Sequence, residues 1–419
     1  MALVVTLAWC WLGFVALVML VYAARHLMLT LGRLLPQQRS AYHEILDSDM
    51  GPISLIIPMH NEGIVAERIL DAIAESNFPK DRLEVFPVND HSSDDTAQII
   101  DAHAATHPYV HPLHRNEGAR GKPAGLNDAM ALTAHETTMI FDADYEPTGE
   151  VIGVLASAFI DPEVGTVMGR VVPNNTGTNV LTRLLDLERS GGYQVDQQAR
   201  QAMDLMPQYG GTCGGFRREL VQNFGGFDPL VLAEDTHLTF EMVIRGYKVA
   251  YANMAECYEE SPNSWLVRFK QLRRWSRGHT QVMMRLMPKV MRSRYLTPRQ
   301  RFDAAMLLGI YLTPPILLSG LAANAVLFLS GSYLPIATIL LSFMVVAYNA
   351  FGNFAPFYQI GAASLIDGSR QRMLLLPLLP AMFFFNGGAV SLGLMDALVD
   401  RITSRRPEWD KTKRAARPA

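Results

Sequence analysis

The chain divides by the rhythm of its apolar positions. Residues 2–24 contain no charged side chain, a run long enough to cross a bilayer as one helix. From Pro52 to about Pro262, short apolar runs alternate with polar stretches of helical period. Ile53-Ser54-Leu55-Ile56-Ile57 reads as a buried strand before Pro58, residues 64–76 as a helix, and residues 83–88 as a second strand ending at Asn89-Asp90. Another strand runs through Thr138-Met139-Ile140-Phe141, with helices expected over 217–223 and from 232 to about 245. Strand, helix, strand predicts an α/β fold with a parallel sheet. Apolar blocks return at roughly 303–330, 334–360 and 373–398.

This pattern predicts a transmembrane anchor over 1–24, a cytoplasmic linker over 25–51, and an α/β domain over 52–262. An amphipathic interfacial region (263–302), a transmembrane region (303–398) and a basic cytoplasmic tail (399–419) follow. Composition agrees: hydrophobic residues make up 49% of the 419 and charged residues only 18%, which places part of the chain in lipid. The first block lacks a basic leader and exceeds a signal peptide's apolar stretch, so an uncleaved anchor is expected. Arg25, Arg33 and Arg39 follow it, and the positive-inside rule puts the middle domain in the cytoplasm of a multi-pass inner-membrane protein. The three cysteines, Cys10, Cys213 and Cys257, lie far apart, which excludes a disulfide framework or zinc pattern and fits a reducing compartment.

Residues 261–302 hold eleven Lys or Arg and no Asp or Glu. Trp265, Leu266, Phe269, Val282, Met283 and Met284 interrupt the charge, so a membrane surface, not nucleic acid, is the expected partner. One crossing before the middle domain and three after it would put the basic tail outside, against the positive-inside rule. One block must be re-entrant, interfacial or broken in two, and Thr313-Pro314-Pro315 marks 303–330 as that block.

The chemistry lies at the ends of the predicted strands, where parallel sheets open their ligand crevice. Pro58, Glu62, Asp90 and Asp142 all fall there. Asp142 and Asp144, one residue apart, offer hard oxygens to magnesium or manganese, and such a cation implies a phosphorylated substrate. Lys122 begins a helix near the same edge, without the spacing of a Walker loop. Gly210-Gly211-Thr212-Cys213-Gly214-Gly215 fits either a tight turn or a backbone lying against a ligand. Glu234-Asp235 can supply a general base, and Gln271-Leu272-Arg273-Arg274-Trp275 offers an amide, a fixed cation and a flat ring. Arg274 can fork onto diphosphate oxygens.

In this order the motifs resemble the catalytic domain of the family 2 glycosyltransferases over residues 53 to about 281. The likeness is strongest to the membrane-embedded branch containing cellulose, chitin, hyaluronan and poly-N-acetylglucosamine synthases. It implies a GT-A-type, mostly parallel Rossmann-like sheet flanked by helices, with transmembrane helices at both ends. It further implies that Asp90 binds the nucleotide base, that Asp142 and Asp144 meet diphosphate and metal, and that Asp235 is the catalytic base. Glu234, Gln271 and Trp275 would face the acceptor, Trp275 as a platform beneath its sugar. Cys213 resembles the cysteine of an acceptor-site Phe-Phe-Cys-Gly-Ser motif, but Gly211, Thr212 and Gly215 depart from that motif, which argues against cellulose. The resemblance thus implies an inverting transferase that extends a β-linked polysaccharide from a nucleotide sugar such as a UDP-sugar, coupled to export. Single transfer to a lipid acceptor and a non-catalytic scaffold are the alternatives, and a second copy or an export partner could complete a channel.

Overall fold

The computed structural model describes residues 2–35, 38, 50–332 and 357–404. Helix α1 (Ala2–Leu34) carries the uncharged run and continues past it. The α/β portion then alternates β1 (Ile53–Met59), α2 (Gly63–Ala74), β2 (Leu83–Asp90), α3 (Thr96–Thr106), β3 (Leu113–Arg115), α4 (Lys122–Met130) and β4 (Thr137–Ile140). The short β5 (Glu146–Pro147) and α5 (Val151–Ser157) lead to β6 (Val164–Pro173) and α6 (Val180–Ser190). A π-helical stretch, Gly191–Gln197, joins α6 to α7 (Gln198–Ala202). After β7 (Gly214–Arg217), α8 (Arg218–Asn223) and α9 (Glu234–Val243), the portion closes with β8 (Lys248–Glu259).

The strands form one sheet in the order β3-β2-β1-β4-β7-β6-β8-β5. β1 pairs in parallel with β2 and β4, and β2 with β3, as the sequence predicts. Alternate residues of β1 enter different cores, Ile53, Leu55 and Ile57 on one face and Ile56 on the other. Burial on both faces explains its nearly continuous apolar run.

The sheet as a whole is mixed, which corrects the mostly parallel, Rossmann-like expectation. β7 runs antiparallel to both β4 and β6, and β5 antiparallel to β8. The chain reaches β7 only after the long excursion through β6, α6 and α7, then returns between two strands already aligned. Gly214 permits this insertion, since a Cβ there would lie 2.3 Å from the Val167 carbonyl oxygen.

Beyond the sheet, α10 (Trp265–Arg292) and α11 (Pro298–Leu308) occupy the predicted amphipathic region. α12 (Thr313–Leu329), α13 (Phe357–Ile366) and α14 (Leu379–Thr403) follow. The Pro314-Pro315 pair sits in the first turn of α12, where a missing amide hydrogen costs nothing, so the 303–330 block is divided between α11 and α12. Among the described residues, three segments are long and apolar enough to cross a membrane: Ala2–Leu34, Ile310–Leu329 and Arg370–Thr403. Most of the predicted 334–360 block and of the basic tail lie outside the described residues. Leu12, Val15 and Met19 of α1 pack with Leu317 and Leu327 of α12, Ile360 of α13, and Met382 and Phe383 of α14 in one apolar cluster.

α10 buries Leu272, Ser276, His279, Val282, Leu286 and Val290 along one stripe, the three-to-four spacing of an amphipathic helix. It crosses α14 closely. The Ser276 hydroxyl donates to the Val390 carbonyl at 2.8 Å, and a Cβ on Gly393 would lie 2.3 Å from the Arg273 carbonyl. Arg273 pairs with Asp396 and Arg277 with Asp400, each at 2.6 Å.

Candidate active site

The carboxyl ends of β1, β2 and β4 open onto a cavity of about 1050 Å³. Register builds its near wall: Met59 pairs with Asn89 and Ile56 with Ile140, which brings Pro58, Asp90 and Asp142 to one edge. Pro58, Glu62, Asp90, Lys122, Asp142, Asp144, Glu234, Asp235, Gln271, Arg274 and Trp275 all line this cavity. Their sequence separation vanishes because the sheet edge and α10 face each other across it.

The Asp90 carboxylate is held from several sides. The Gly121 amide donates to Oδ2 at 2.8 Å, Arg115 pairs with Oδ1, and His91 Nδ1 lies 2.7 Å from Oδ1. Asp90 therefore anchors the loop that delivers Lys122. The Lys122 ammonium donates to Asp142 Oδ1 at 2.7 Å and to the Gly211 carbonyl at 2.9 Å, and lies 3.6 Å from Glu234 Oε1. Burial opposes its charge, but the Asp142 and Glu234 carboxylates outweigh burial and hold it well above the usual lysine range.

Asp235 stands in the first turn of α9 and accepts from the Thr236 amide at 2.7 Å. Burial first, then the adjacent Glu234 carboxylate, pushes its carboxyl up to about 7. A carboxylate so tuned can take a proton near neutral pH. Gly211 covers it in the left-handed region, φ +81°, where a Cβ would lie 3.2 Å from the Asp235 Cβ. Within the glycine-rich segment, Gly211 lies over the carboxylate and Gly214 is wedged in the sheet.

Cys213 requires a correction. Its side chain is fully buried in the apolar core and does not line the cavity. The thiol points to the Ala255 carbonyl at 3.8 Å, because the left-handed backbone at Cys213, φ +46°, turns it into the sheet. Trp275 lines the cavity, and the Arg189 and Arg268 guanidiniums each lie 5.5 Å from its ring centroid. Cations over the indole are a favourable contact. Gln271 accepts from Arg268 at 2.9 Å.

The sequence reading missed the far wall. Arg189 pairs with Glu259 at 2.8 Å, and the Tyr145 hydroxyl donates to the other Glu259 oxygen at 2.6 Å. Arg268 pairs with Glu188, whose second oxygen accepts from Asn386 at 3.1 Å. Arg200 pairs with Asp196 at 2.6 Å. Tyr145 directly follows the Asp-x-Asp, and Glu259-Glu260 ends a strand, so both carried a positional signal. Glu188-Arg189 lies within a helix and carried none.

A divalent cation fits the residues present. Among the described residues no cluster of three or more His, Cys, Asp or Glu is arranged to hold a metal, so these residues do not offer a complete cage. Asp142 and Asp144 instead give two hard carboxylates on the cavity wall. Magnesium-type ions commonly bind through one or two carboxylates with substrate phosphates completing the sphere.

A mixed sheet with a carboxylate-lined crevice at its edge is the scaffold of a GT-A glycosyltransferase. Residues 51–278 match the family model described as "Glycosyltransferase like family 2", and the chain belongs to that family. The probable glycosyltransferase YdaM of Bacillus subtilis (strain 168) is 30% identical over 266 residues, 63% of this chain and 62% of that protein. The beta-monoglucosyldiacylglycerol synthase of Trichormus variabilis is 24% identical over 275 residues, 65% of this chain and 58% of that protein. The chain thus aligns with about three fifths of the length of these curated relatives. The mannosyltransferase PcManGT from Pyrobaculum calidifontis, solved with GDP-Man and Mn2+, superposes with a TM-score of 0.63 at 21% identity. That superposition covers 95% of this chain and 99% of the other, and shows the shared fold.

Proposed function

We propose that this protein transfers a sugar from a nucleotide sugar, with inversion, to a hydroxyl on a membrane-held lipid acceptor. One observation carries the reading. The cavity that contains Asp142, Asp144 and Asp235 is also lined by Leu307, Ile310 and Tyr311, and the last two begin the membrane-length segment Ile310–Leu329. An acceptor lying in the bilayer can therefore reach the carboxylates without leaving the apolar surface. Asp235 takes the hydroxyl proton as the acceptor oxygen attacks the anomeric carbon. Lys122 and Arg274 hold the diphosphate, and Asp90 fixes the loop bearing Lys122. Asp144 and Asp142 would hold a magnesium or manganese ion, which when bound neutralises charge on the departing diphosphate. The orientation that fits places the catalytic portion in the cytoplasm of a multi-pass inner-membrane protein, with the basic α10–α11 surface against the anionic leaflet.

Extension of a β-linked polysaccharide is the second reading. A cavity of about 1050 Å³ exceeds the upper range of about 1,000 Å³ for small-ligand pockets, and Trp275 lines it. Two features favour single transfer instead. Apolar side chains fill the space between the described membrane-length helices, and the Trp275 ring already meets two guanidiniums. The decisive experiment offers detergent-purified protein a panel of nucleotide sugars with magnesium or manganese and lipid or oligosaccharide acceptors. Released nucleotide and product size are both measured. One sugar added per lipid supports the proposal, whereas long products at high acceptor excess support the polymer reading.

A further inference from the structure

We propose that the charged wall of this cavity rejects lipid acceptors that end in a phosphate; this rests on the lipid-transfer reading above. The far wall of the cavity is rich in charge, but that charge is balanced. Arg189 is committed to Glu259 and Arg200 to Asp196, and Glu188 is paired with Arg268, which does not itself line the cavity. The second oxygens of Glu259 and Glu188 are taken by Tyr145 and Asn386. On the near wall, Lys122 pairs with Asp142 and is also assigned to the donor diphosphate. Lys122 and Arg274 are the other Lys and Arg lining the cavity among the described residues, and the donor diphosphate uses both in the proposed reaction.

A phosphate monoester entering the far half would meet the Glu188, Asp196 and Glu259 carboxylates. To be bound, it would have to draw a guanidinium off one of them and leave a buried anion unpaired, a strongly unfavourable exchange. A hydroxyl asks for much less. It donates to any of these oxygens without disturbing an ion pair.

The position of Asp235 points the same way. A phosphate monoester has a second pKa of about 6, so its oxygen is already anionic near neutral pH and attacks without a base. An alcohol keeps its proton until the transition state and needs one. In the transfer, the bond from acceptor oxygen to anomeric carbon forms while the bond from that carbon to the diphosphate breaks. The hydroxyl proton passes to Asp235, and the nucleoside diphosphate leaves with the electron pair.

The test uses the full chain in detergent with one nucleotide sugar, manganese, and three acceptors: diacylglycerol, phosphatidic acid with the same acyl chains, and a soluble oligosaccharide. Transfer to diacylglycerol should be at least roughly tenfold faster than to phosphatidic acid. Equal or faster transfer to phosphatidic acid overturns the phosphate-rejection proposal while leaving lipid transfer intact. Transfer confined to the oligosaccharide overturns the lipid reading and this proposal with it. Glu259→Gln releases Arg189 from its counter-charge and should move the acceptor ratio severalfold toward phosphatidic acid; Asp196→Asn should do the same through Arg200. Nucleotide titration reports whether each variant is folded. Ratios unchanged in both variants, with nucleotide binding intact, overturn the ion-pair argument.

Discussion

Lys122 donates to Asp142 across 2.7 Å, and the same ammonium lies 3.6 Å from Glu234, so one lysine ties the donor carboxylates to the pair containing the proposed base. Its charge also restrains Asp235, whose carboxyl would be lifted further without it. Lys122→Met should therefore weaken nucleotide affinity and shift the acid limb of the kcat/KM profile to higher pH. A profile that superposes on wild type would disconnect Lys122 from the base.

Asp235→Asn should lower turnover by roughly a hundredfold or more while nucleotide binding stays close to wild type. Wild-type kcat/KM should rise with pH through about 7, the pH at which the Asp235 carboxyl loses its proton. The stability sign follows from the same shift. The folded pKa stands above the usual carboxylate value, so this group's contribution is fully present below about 4 and is lost as pH rises through about 7. The neutral asparagine escapes that loss. Tm of Asp235→Asn relative to wild type should thus increase between pH 4 and pH 8, read by thermal melts across that range.

Asp144→Ala should weaken metal-dependent nucleotide binding, because it removes a hard oxygen from a site with few others. Chelation of the wild type should reproduce the defect. Turnover that persists in excess chelator would eliminate the cation.

Trp275→Ala should impair acceptor use far more than nucleotide binding, since it strips a ring from beside the Arg189 and Arg268 guanidiniums. Trp275→Phe retains an aromatic face and should recover part of the activity. Joint loss of nucleotide binding and transfer in the alanine variant, read by titration and product assay, would identify Trp275 as a packing residue alone.

Local pattern carried much of this architecture. The helix expected at 64–76 forms as Gly63–Ala74, and the strand expected to end at Asn89-Asp90 does so. Apolar period fixes such elements without distant partners, and Asp90, Asp142 and Asp235 reach the crevice because strand ends and first helical turns lead there. Direction and pairing were less accessible. Whether β7 runs with or against β4 depends on the path through β6, α6 and α7. Arg189 finds Glu259 only after the sheet has formed, and the Cys213 motif gave no sign that a left-handed backbone would turn its thiol inward.

The crossing of α10 and α14 has a mechanical consequence. The hydroxyl of Ser276, the bare backbone at Gly393 and two arginine–aspartate pairs pin the helices along a shared length. The α10 face that offers Gln271 and Trp275 to the cavity is thus coupled to a long apolar rod. A tilt of that rod would carry the α10 face with it and move Gln271 and Trp275 relative to the sheet-borne edge of the crevice.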